Sequence, residues 1–102
     1  MDDEDLRSRF PALGQLLGAY LNQDYTINGP ELEDSVYAYI DDSNAEEIAK
    51  VRADIAGFLD LRTNDLDGTL YRFSHGDLAQ EPGMGAREYL LWIDGLLAEA
   101  AA

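Results

Sequence analysis

The chain has 102 residues, 46% of them hydrophobic, with 21 acidic side chains against 7 Lys plus Arg and a formal net charge of −14. That length holds one domain around one core, and that apolar fraction excludes a disordered acidic tail. The charge repels phosphate backbones and anionic lipid, so the reading is no direct nucleic-acid binding, no membrane, and a basic protein as partner; with no cysteine present, disulfide scaffolds, thiolate metal sites and cysteine nucleophiles are excluded.

The opening Met1-Asp2-Asp3-Glu4-Asp5 is the opposite of a basic secretory leader, and no apolar run approaches a membrane span, so a cytoplasmic location is expected. Residues 1–9 read as an acidic N-terminal tail ahead of a single domain over residues 10–98. The first helix is expected from Pro11, a residue suited to the first helical position, to about Leu21. Phe10, Leu13, Leu16, Leu17, Tyr20 and Leu21 recur at helical spacing on one face. Gly14 and Gly18 lie one turn apart and are expected to let a neighbouring helix approach closely.

The second helix follows Gly29-Pro30, with Glu31, Glu33 and Asp34 favouring its N-terminus and Leu32, Val36, Tyr39 and Ile40 sharing a face. A capping box Ser43-x-x-Glu46 predicts the start of the third, whose stripe is Ile48, Val51, Ile55, Phe58 and Leu59; Glu46 and Lys50 are one turn apart and can pair. A short fourth helix is predicted from about Asp65 to Phe73, carrying Leu66, Leu70 and Phe73. The last runs from Ala86 to about Ala98, with Ala86, Tyr89, Leu90, Ile93, Leu96 and Leu97 inward and Glu88 placed to complete a capping box with Gly85. No segment alternates with period two between hairpin turns, so the expected fold is all-α, a single-domain bundle of about five short helices.

Asp65-Leu66-Asp67-Gly68 resembles part of an EF-hand loop. With Gly68 at the sixth position, however, Thr63 and Ser74 fall where an Asp and a bidentate Glu are required. The plainer reading is a capped helix turn, and no metal site is assigned. His75 is a single loop histidine with no cysteine or second histidine to work with, and no Gly-rich phosphate loop is followed by Lys. The reading is therefore no catalytic residue, no cofactor and no enzyme activity.

Most aromatic residues fall on the apolar stripes and read as core. Tyr37 does not: at 100° per residue it lies away from the inner face, between Asp34 and Asp41. Between Glu31 and Glu47 there are seven acidic residues and no basic one. Acids at helix N-termini explain part of that run. A tyrosine ringed by carboxylates is also the composition of a docking site for a basic partner, which places the candidate site at Glu33, Asp34, Tyr37, Asp41 and Asp42, with the loop from Ser74 to Gly85 as the second choice.

Phe10-Pro11-Ala12-Leu13, then Gly18-Ala19-Tyr20-Leu21-Asn22-Gln23-Asp24-Tyr25, then Arg87-Glu88-Tyr89-Leu90 and Trp92 follow one another in an order that resembles the small helical immunity proteins of bacterial contact-dependent growth inhibition systems. The resemblance extends from about Phe10 to Leu97. Asn22 stands where that family often has His, and Tyr25 and Tyr89 where it often has Trp. It implies a cytoplasmic inhibitor that binds the toxic C-terminal domain of a secreted surface effector, many of which are nucleases. It also implies that Gln23, Asp24 and Trp92 serve the fold, leaving other surfaces to choose the toxin. The alternative function is an acidic helical adaptor, or a nucleic-acid mimic, that inhibits a basic protein other than a toxin.

Overall fold

Six α-helices and one short 3-10 turn run through the residues the structure describes (3–22, 25–74 and 84–101) in the computed structural model. They are α1 (Asp3–Arg9), α2 (Pro11–Ala19), the 3-10 turn (Tyr25–Asn28), α3 (Leu32–Asp42), α4 (Ala45–Leu59), α5 (Leu66–Phe73) and α6 (Ala86–Ala101). No strand occurs among the described residues, as the all-α expectation requires.

The segment expected as an acidic tail is instead helical from Asp3, and Leu6 is fully buried. One apolar residue among charges carries no periodicity of its own. Leu6 has its partner one turn on, at buried Phe10, whose amide donates to the Leu6 carbonyl at 3.1 Å.

Helix α4 lies at the centre, packed against α2 and against α6, while α3 packs on the 3-10 turn and α6, and α5 on α6 and α1. The core is made of the predicted stripes: Leu13, Leu16 and Leu17 of α2, Val36 and Tyr39 of α3, Ile48, Val51, Ile55 and Phe58 of α4, and Tyr89, Leu90, Ile93 and Leu97 of α6. Burying each large side chain contributes on the order of 2 kcal/mol of transfer free energy. Phe10, Phe58 and Phe73 form a triangle with ring centroids 5.3 to 6.3 Å apart, joining the α1–α2 corner to α4 and α5. A Cβ at Gly57 would stand 3.0 Å from the Phe10 ring, so that aromatic corner depends on glycine in α4. The expected close helix approach at Gly14 and Gly18 is not found as a pair. A Cβ at Gly14 would meet the Phe73 ring at 3.5 Å, but beside Gly18 there is open space.

Aspartates and one asparagine settle where the helices begin. Asn44, not Ser43, caps α4: its side chain accepts from the Glu47 amide at 2.8 Å and Glu47 returns the bond at 3.1 Å. Asp34 accepts from the Glu31 amide at 3.0 Å at the start of α3, where Gly29 has φ +143° and any Cβ would collide with the Asp34 carboxyl. Two further caps come from different helices. Asp54 of α4 accepts from the Leu13 amide in the first turn of α2 at 3.0 Å, and Asp67 of α5 accepts from the Ala86 amide at the start of α6 at 2.6 Å. Arg52 and Asp94 join α4 to α6 through a 2.9 Å ion pair.

Candidate functional site

All five candidate docking residues lie on α3, and the helix sorts them into two groups. Glu33, Tyr37 and Asp41 are each one turn apart and all exposed, so they form a single line along the outer side of the helix. Tyr37, as its position predicts, is directed outward and is 44% exposed. Nothing in the core requires that line, because α3 turns Leu32, Val36 and Tyr39 inward.

Asp34 and Asp42 have work within the fold: Asp34 serves the α3 N-terminus, as expected of the acids there, whereas the task of Asp42 was not foreseen. Asp34 is the half-buried cap of α3 itself. Asp42 accepts a hydrogen bond from the Tyr20 hydroxyl at 2.9 Å, tying the last turn of α3 to the residue that ends α2. Tyr20 also meets Tyr39 edge to face, with centroids 5.4 Å apart. The hydrogen bond to the Asp42 carboxylate raises the Tyr20 pKa, and burial raises that of Tyr39, so both phenols stay neutral across the physiological range.

The same distinction applies across the surface. Glu47, Asp54, Asp65 and Asp67 accept from backbone amides, Glu46 pairs with Lys50 at 3.7 Å, and Asp94 with Arg52. A share of the acidity is therefore spent on holding helices together. Glu33 and Asp41 belong to the share that projects into solvent.

Asp65 and Asp67, tested above as calcium ligands, face apart in their tasks. Asp65 accepts from the Gly68 amide at 2.9 Å as the cap of α5, while Asp67 reaches the Ala86 amide of α6. Thr63 accepts from the Asp65 amide at 3.1 Å. Among the described residues no group of three or more His, Asp or Glu side chains is arranged to hold a metal ion. Gln23, Asp24, His75 and most of the loop from Ser74 to Gly85 lie outside the described residues.

One feature beside the stripe was not anticipated. Glu31, Leu32 and Glu33 at the start of α3 face Met84 and Trp92 across a cleft of about 180 Å³. Trp92 packs against the core, with its ring 5.8 Å from that of Tyr89, and also lines this cleft. The acid–apolar–acid order of Glu31-Leu32-Glu33 was legible; its distance in sequence from Trp92 hid the pairing.

The family whose model matches this chain, over residues 9–97, is described as the CdiI immunity protein. No curated protein and no solved structure matches it.

Proposed function

The chain belongs to the CdiI immunity protein family, and from that premise we propose that it binds and neutralises the cognate C-terminal toxin domain of a contact-dependent growth inhibition effector. It acts in the cytoplasm, protecting the producer and its siblings from the delivered domain. Its action is occlusion, with no catalytic step of its own. The target is a basic domain, and a nuclease, which must hold phosphates, is the class that fits a −14 inhibitor best. No helix among the described residues is long and apolar enough to cross a membrane.

The observation that carries this reading is the line Glu33–Tyr37–Asp41, an exposed aromatic between two carboxylates on a helix face that the core does not use. Asp34 and Asp42 flank it and add to its field while serving the fold. The test is co-expression with the cognate toxin domain. Growth should be restored by the intact chain and lost again with Tyr37→Ala combined with Glu33→Lys. Growth arrest despite well-expressed intact chain, with no complex in solution, would refute the toxin-inhibitor reading.

A further inference from the structure

We infer that the cleft between the start of α3 and α6 seats one arginine side chain of the toxin domain, with its guanidinium against Trp92 and between Glu31 and Glu33. The inference rests on the inhibitor reading above and deepens it by naming the anchor. At about 180 Å³ the cleft is well below the roughly 300–1,000 Å³ of small-molecule sites, which suits a single side chain rather than a ligand. Its floor is Leu32, Met84 and Trp92, apolar surface for the methylenes of a long stem and an aromatic face for a planar cation. Two exposed acidic residues, Glu31 and Glu33, also line it and supply acceptors of the kind that a guanidinium fork requires. No Lys or Arg is among the described residues that line it.

Two helix N-termini stand near this cleft, and each carries roughly half a positive charge, which by itself disfavours a cation. Carboxylates outweigh them. The leading amides are already engaged, Glu31 N–H by Asp34 and Ala86 N–H by Asp67. Glu31 and Glu33 add two further full negative charges in its lining, and Glu88 stands on α6 one turn before Trp92, on the same side. By this count of charges the cleft favours a cation. Glu33 belongs both to this lining and to the outer line of α3, so an arginine seated here places its own backbone beside Tyr37.

Trp92 is the single tryptophan of the chain, so fluorotryptophan labelling gives one fluorine NMR resonance, from a ring that lines the cleft. The labelled full chain is titrated with N-acetyl-arginine amide, with its neutral isostere N-acetyl-citrulline amide, and with unlabelled toxin domain. Arginine amide at millimolar concentration should move the resonance saturably, citrulline amide should not, and Glu33→Lys should weaken the arginine effect roughly tenfold at unchanged melting temperature. The toxin domain should move the same resonance. Equal responses to arginine and citrulline, or none, overturn the seat. If the toxin domain binds but leaves the Trp92 resonance in place, the cleft assignment falls while the inhibitor reading stands. If arginine amide seats and the toxin domain does not bind, the assignment of that side chain to a toxin falls with the inhibitor reading.

Discussion

The Tyr20 hydroxyl donates to Asp42 at 2.9 Å, and so an aspartate on the outer helix is also the clasp between the ends of α2 and α3. The bond is solvent-exposed, which limits its value to about 0.5–1 kcal/mol. Tyr20→Phe and Asp42→Ala should each lower stability by about that amount, and the double variant by less than the sum of the two. Urea denaturation of the four proteins measures the coupling; strict additivity would mean the clasp contributes nothing.

Docking should depend on the outward line rather than on its structural neighbours. Glu33→Lys with Asp41→Lys should slow association with the toxin domain and flatten its salt dependence. Tyr37→Ala should cost on the order of 2 kcal/mol, mainly through faster dissociation. Melting temperatures should hardly move, since exposed substitutions shift stability by about half a kcal/mol or less. Asp34→Lys should behave differently, because it removes the α3 cap and costs about 1 kcal/mol of stability. Surface plasmon resonance at two salt concentrations, with thermal melts of each variant, separates the two groups.

Asp67 offers a test of fold against metal. Asp67→Ala should destabilise the chain by about 1–3 kcal/mol, the range for loss of a hydrogen bond to a charged group that leaves a helix-start amide unpaired. Neither chelator nor millimolar calcium should change the melting temperature of the original chain. A calcium-dependent rise of several degrees that vanishes in Asp67→Ala would reinstate the ion site.

Alkaline pH should weaken the fold through Tyr89. Its phenol is buried, and desolvation raises its pKa above the ordinary value of 10.0. With the folded pKa above the unfolded one, the unfolded chain loses this proton first. Its stabilising effect is therefore complete below pH 10 and is lost as pH rises beyond, by up to about 1.4 kcal/mol per pH unit for one group. Tyr20 and Tyr39 are shifted in the same direction and add to the decline. Tyr89→Phe should flatten the decline in a denaturation series above pH 10, whatever it does to stability at neutral pH.

Much of this architecture was legible because helical stripes are local. The inward faces of α2, α3, α4 and α6 follow from spacing alone, with Leu59 and Leu96 at the partly exposed margins. The start of α4 was ambiguous for an identifiable reason: Ser43-x-x-Glu46 and Asn44-x-x-Glu47 both satisfy the capping pattern, and only packing selects the second. The roles of Asp54 and Asp67 were beyond reach, since each caps a helix 41 or 19 residues away in the chain. For the site, the outward direction of Tyr37 follows from helical geometry and the helix-start role of Asp34 from its place among the N-terminal acids, whereas the duty of Asp42 depends on Tyr20, a partner that a linear pattern does not display.

Those remote caps divide the chain into parts that can and cannot be exchanged between relatives. A graft that replaces α4 without α2 removes Asp54 from the amide it serves, and one that replaces α5 without α6 does the same to Asp67. Helix α3 carries its own cap, with Asp34 on Glu31 and Gly29 just before it, and the exposed Asp42–Tyr20 clasp ties its last turn to the end of α2. The stretch from Gly29 to Ser43 is thus a cassette. If the outward line of α3 is the recognition surface proposed above, a lineage facing a new toxin can replace it by recombination over one short segment, provided that the inward Leu32, Ser35, Val36 and Tyr39 pattern arrives with it.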